Sequence, residues 1–193
     1  MALTTYIPGE VLTAVSLNDN LAYAVTVPAA VPGGLVCVKA ETTVTAAASA
    51  TADSIFTSSY TNYLLLLNYT TSTTQAIEMQ FRVGGVSATT NYTYQTMQGF
   101  GTTPSTNPFS AQSSAAIGYY ANTAQQYAVI NIGNVQLAKA TSYSTQGGAL
   151  AGALHYAIQG THTTATAYDG INILVASGTW TGTYAIYGYS KTV

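Results

Sequence analysis

The segment AIEMQFRV at 76–83 places Ile77, Met79, Phe81 and Val83 on one side of an extended chain and Glu78, Gln80 and Arg82 on the other. A period of two belongs to the strand, so this stretch predicts a half-buried antiparallel strand, stopped by Gly84-Gly85. The period recurs in NYTYQTM at 91–97, QYAVINIG at 126–133, ALHYAIQG at 153–160 and INILVA at 171–176, and LVCVKAETTV at 35–44 opens the series. YLLLLNYT at 63–70 is apolar on both faces, as a central or interface strand would be. In the closing SGTWTGTYAIYGYSKTV, Trp180, Gly182, Tyr184, Ile186 and Gly188 alternate with Thr181, Thr183, Ala185, Tyr187 and Tyr189. Glycine weakens a strand unless a ring or backbone approaches closely, so this alternation predicts rings covering glycines across strands.

Turn signals fall between these segments: Gly84-Gly85, PSTNP at 104–108, Gly147-Gly148, Asp169-Gly170 and Ser177-Gly178. Strands at such spacing, with no helical pattern beyond residue 34, predict an all-β chain built as an antiparallel sandwich or barrel over residues 35–193. No fixed-period repeat is present, which argues against a propeller or β-helix.

Residues 1–34 read differently, as an arm punctuated by Pro8-Gly9, Pro28, Pro32 and Gly33-Gly34. Within it Ser16 and Asp19 have capping-box spacing, and Leu17, Leu21 and Ala24 fall on one face of a short helix. That stripe is too narrow to stand alone and must dock, on its own domain or on a partner subunit. The N-terminus MALTTYIPGE has no Lys, Arg or apolar core of a secretory signal, and no apolar run reaches the ~18 residues of a membrane span. The expectation is a soluble chain made in the cytoplasm. Cys37 is the sole cysteine, so no internal disulfide can form, and within LVCV it reads as a small buried hydrophobe.

Charge narrows the function classes. Only 5% of the 193 residues are charged, against about 25% in an ordinary domain, while Tyr numbers 16 and the hydrophobic fraction is 48%. Solubility therefore rests on hydroxyls and amides. Four scattered cations, Lys39, Arg82, Lys139 and Lys191, give no field for nucleic acid. The carboxylates Glu10, Asp19, Glu41, Asp53, Glu78 and Asp169 stand singly, without the pair that glycoside hydrolysis needs or the cluster that Ca²⁺ needs. His155 and His162, an odd number apart on one strand, point to opposite faces and make a poor metal site. A serine triad can be written with either histidine and Asp169, but no nucleophile elbow accompanies it. Asn68-Tyr69-Thr70 and Asn91-Tyr92-Thr93 match the glycosylation acceptor pattern and read as ordinary strand residues. Glu78 and Arg82 bracket Gln80 on a solvated strand face, or else pair across an interface. No catalytic residue, cofactor or metal is expected.

Four stretches in order, TTYIPGEVLTAVSLNDNLAYAV, FTSSYTNYLLLLNYTTST, MQFRVGGVSATTNYTYQ and SGTWTGTYAIYGYS, resemble a family of small tailed-bacteriophage virion proteins common in marine and cyanobacterial phages. The resemblance spans nearly the whole chain; it departs at Tyr184 and Ala185, where the family often has a basic residue, and at Asn62, where Asp is usual. It implies a homotrimeric, jelly-roll-like β-sandwich on the virion surface, with no catalytic residues to carry over. A trimer would account for the apolar strand faces and the aromatic excess.

Size then favours a capsid decoration or cement protein over a fibre, because a fibre draws its length from repeats that are missing here. Its partners would be two further copies of itself and a major capsid or tail protein, with no nucleic acid and no membrane insertion. The arm would anchor it through Ile7, Val11, Leu12, Leu17, Leu21 and Tyr23. The alternative is a short tail fibre recognising host glycan, with Tyr92, Tyr94, Tyr119, Tyr120 and Trp180 stacking on sugar rings or contacting another subunit. A third, weaker reading is a depolymerase working through Glu78.

Overall fold

The computed structural model describes residues 34–100, 102–119, 124–149 and 154–191. Residues 1–33 of the arm, where a helix and the six anchoring residues are expected, lie outside them, as does Tyr120. Among the described residues thirteen strands follow one another: β1 (Leu35–Ala47), β2 (Ser49–Ala52), β3 (Asn62–Thr71), β4 (Ile77–Val83), β5 (Val86–Ser87), β6 (Tyr92–Phe100), β7 (Thr103–Gln112), β8 (Ala115–Ala116), β9 (Gln126–Gly133), β10 (Thr141–Ala149), β11 (Leu154–His162), β12 (Gly170–Val175) and β13 (Trp180–Tyr189). No described residue is helical, and no helix among them is long and apolar enough to cross a membrane.

All pairings are antiparallel. One sheet has eight strands in the order β1-β13-β3-β9-β10-β11-β6-β7; the other has five, β2-β12-β4-β5 with β8 also on β4. The two pack as a jelly-roll-like β-sandwich. Tyr63, Leu65, Leu67, Ile130, Ile132 and Ile158 come from the larger sheet, and Ile77, Met79, Phe81, Ile171 and Ile173 from the smaller; all are at most 1% exposed. Each such aliphatic side chain contributes about 2 kcal/mol on leaving water.

The strand at 77–83 follows its alternation at Ile77, Met79 and Phe81. Val83 is exposed, because it sits at the mouth of a two-residue hairpin in which Gly84 (φ 56°) and Gly85 (φ 79°) both take the left-handed conformation of a type I′ turn. Gln80, assigned to a solvated face, is buried: its amide donates to the Ser113 carbonyl at 3.1 Å and accepts from Asn172 at 3.4 Å.

Three expectations need correction. PSTNP is not a turn but the first half of β7, an edge strand. Pro104 and Pro108 are an even number apart, so both imide nitrogens face the same side of the strand, and an edge strand has one side free of ladder bonds on which proline is tolerated. Gly147-Gly148 is also strand, paired with Tyr156 and His155 of β11. A Cβ at Gly147 would overlap the Tyr156 ring and the Tyr127 carbonyl, so close packing, not turning, requires the glycine. Cys37 is exposed, because β1 is the other edge strand and the half-buried positions on either side belong to Val36 and Val38, the latter packed against the core. The closing strand does place its glycines under neighbours: Gly188 lies against the Tyr60 ring and Gly182 against the Asn68 backbone.

Candidate functional site

The outer surface of the eight-stranded sheet is built by period-two alternation in four neighbouring strands. β9 turns Ala128, Ile130 and Ile132 inward and Tyr127, Val129 and Asn131 outward; β10 turns Tyr143 and Thr145 inward and Ser142, Ser144 and Gln146 outward. β11 buries Tyr156 and Ile158 and presents His155, Ala157, Gln159 and Thr161. β6 buries Tyr92 and Thr96 and presents Thr93, Gln95 and Met97.

Register aligns these outward residues into rows across the strands. One row runs Gln95–Gln159–Ser144–Asn131 and the next Met97–Ala157–Gln146–Val129. Over these rows lies a depression of about 410 Å³. It adjoins three others of about 330, 420 and 510 Å³. The first shares Asn131, Ser144 and Gln159 with it, the second Met97, Gln146 and Ala157, and the third Gln95 and Gln159. Together they form one trough whose lining contains no Lys, Arg, Asp or Glu.

Four charged groups outside the trough serve the small sheet and its loops. Arg82 Nε donates to Asp53 Oδ1 at 2.6 Å, Nη2 to Asp53 Oδ2 at 3.3 Å and Nη1 to Ser87 at 2.9 Å. Glu78 accepts from Ser114 Oγ at 2.6 Å, and Asp169 accepts from the Gly84 N–H at 3.0 Å. His155 and His162 do face opposite ways: His155 is exposed, while His162 is 1% exposed with Nδ1 3.2 Å from the Tyr168 hydroxyl. Burial holds the His162 pKa below its ordinary value. No three His, Cys, Asp or Glu side chains among the described residues gather as a metal site.

The aromatic residues expected to stack on sugars are dispersed. Tyr92 and Trp180 are 0% exposed and belong to the core; the Tyr92 hydroxyl accepts from Phe81 N–H and donates to the Ala88 carbonyl. Both fail as stacking platforms, because inward positions of a sandwich strand pack against the opposite sheet. Tyr94 and Tyr119 are half-buried and share a crevice of about 60 Å³ with Glu78, room for a few waters and not for a sugar ring, while Tyr94 also borders the 510 Å³ depression above. Tyr94 stacks on Phe109 at 4.8 Å between ring centroids. The trough residues escaped the sequence reading, although Gln, Asn and Ser at outward positions of alternating segments were their signal.

The fold and this face define an antiparallel β-sandwich that presents a neutral, amide- and hydroxyl-lined surface. No family model matches the chain, and no curated protein does. Among solved structures the chain is similar to the galectin LEC-6 of Caenorhabditis elegans, at 11% identity over 77% of this chain and 95% of that one, with a TM-score of 0.37. A similarity of that degree carries no functional argument.

Proposed function

We propose that this chain is a non-enzymatic structural protein of a bacteriophage virion, a homotrimeric capsid decoration subunit anchored through residues 1–34. The observation that carries this reading is how its few charges are used. Arg82, Asp53, Glu78 and Asp169 tie loops and strands of the small sheet together, and no Lys, Arg, Asp or Glu lines the depressions on the broad sheet. Subunit contact has a natural place on the same face: Leu64 and Leu66 of β3 point outward and half-buried, beside Tyr187 and Ala185 of β13. The virion assignment itself comes from the sequence resemblance.

Cryo-electron microscopy of the intact particle tests this reading. Density for the subunit at symmetric positions over the capsid is expected, and loss of that density on deleting residues 1–30, with the sandwich still folded. Density confined to the tail would replace decoration with receptor binding. A truncated chain that still decorates particles would overturn the anchoring role of the arm. Turnover of a host polysaccharide that stops with Glu78→Gln would overturn the non-enzymatic reading.

A further inference from the structure

We infer that the trough on the eight-stranded sheet binds a neutral linear oligosaccharide or polysaccharide segment. Of the aromatic residues considered above, Tyr94 borders this site while Tyr92 and Trp180 do not, and the inference does not rest on the virion role. Its first support is spacing. Gln95, Gln159, Ser144 and Asn131 occupy successive strands in register, so their polar groups repeat at about 4.8 Å, a step comparable with one pyranose ring. Beside that row runs Met97–Ala157–Gln146–Val129, mostly apolar. A sugar chain has the same two characters side by side, hydroxyls at its edge and C–H groups on its face.

Chemistry narrows the ligand further. A hydroxyl both donates and accepts, and so do a carboxamide and a serine hydroxyl; Lys and Arg only donate, and an ionised carboxylate only accepts. Phosphorylated or acidic ligands would call for Arg or Lys, which the lining lacks. An extended peptide would add to a sheet edge, at β1 or β7, and not lie across the face. One polar group is already fixed for the task. The Tyr189 hydroxyl donates to Asn131 Oδ1 at 3.0 Å, which orients that amide and leaves its NH₂ to donate. The central 410 Å³ depression has the volume of a ligand pocket, and the flanking ones extend it along a chain.

The test is titration of the full chain with cellohexaose, laminarihexaose, maltohexaose and mannohexaose, followed by NMR of the side-chain amides and by calorimetry, with hexagalacturonate as the acidic comparison. At least one neutral hexaose should shift the amides of Gln95, Gln146 and Gln159. Gln159→Ala and Gln146→Ala should each weaken its binding about fivefold, the loss of one hydrogen bond. Thr43→Ala, exposed on β1, should bind as the unaltered chain does, and melting curves establish that each variant is folded. No neutral hexaose shifting these amides at millimolar concentration overturns the inference, and so does tighter binding of hexagalacturonate. If Gln159→Arg lowers the oligomeric state in sedimentation, the trough is an interface between copies and the inference also falls. Sugar binding by a chain absent from particles would overturn the virion proposal and leave this one standing.

Discussion

Tyr156 of β11 lies directly over Gly147, its cross-strand partner on β10, and the same ladder holds the converse pair, Tyr143 over Gly160. The two rings cover the two glycines from opposite strands and fill core space that no Cβ could share. The Tyr156 hydroxyl then donates to the Tyr127 carbonyl at 3.0 Å and lies 3.4 Å from the Tyr69 hydroxyl, which itself donates to Gln126 at 2.7 Å. This packing stands directly behind the trough.

Gly147→Ala should therefore destabilise the fold by about 1–3 kcal/mol, since its methyl meets both a ring and a backbone oxygen that cannot move aside. Gly99→Ala, where a Cβ meets nothing within 4 Å, should change stability little. Denaturant midpoints of the two variants at constant slope check the contrast.

Arg82→Ala removes donors to Asp53, Ser87 and the Gly85 carbonyl at once and should cost about 1–2 kcal/mol. Asp53→Ala should cost less, about 1 kcal/mol or under, because its side chain is 43% exposed and water screens the pair. A double-mutant cycle at low and high salt measures the coupling, which salt should reduce.

Burial lowers the pKa of His162 in the folded chain from 6.5. The unfolded chain then binds the proton more readily, so the stabilisation is present above pH 6.5 and is lost as the pH falls through the lower folded value. Melting temperatures between pH 5 and 7.5 should fall on the acid side for the unaltered chain, and His162→Phe should flatten that fall.

Alkaline behaviour has the opposite sign. Burial raises the pKa of Tyr69, Tyr92 and Tyr143 above the ordinary 10.0 and pushes Tyr156 up to about 12. Stability from these groups is intact below pH 10 and lost as the pH rises through the folded values. Ultraviolet titration should thus show a late phenolate step that coincides with loss of the near-ultraviolet circular dichroism. Complete ionisation of all tyrosines by pH 11 in a chain that stays folded would contradict this.

Alternating segments such as 76–83 and 126–133 made their strands legible, because a period of two admits no other regular structure. Gly147-Gly148 and PSTNP misled for one shared reason. Glycine and proline signal turns by backbone freedom or restriction, yet here a neighbouring ring required the first and an open sheet edge admitted the second. The buried places of Tyr92 and Trp180 were implicit in the same alternation. Their size and polar edges made them resemble contact residues only while the opposite sheet was out of view.

What the sequence determined by itself was the all-β character of the described residues, the turn at Gly84-Gly85 and a composition poor in charge, since local period, backbone preference and composition are all properties of neighbouring residues. The tertiary structure decided which strands adjoin. It set β6 beside β11 although β7, β8, β9 and β10 intervene in the chain, and so aligned Gln95 with Gln159, Ser144 and Asn131 in one row. Strand order and register follow from packing two apolar faces together, a global condition that no single segment encodes.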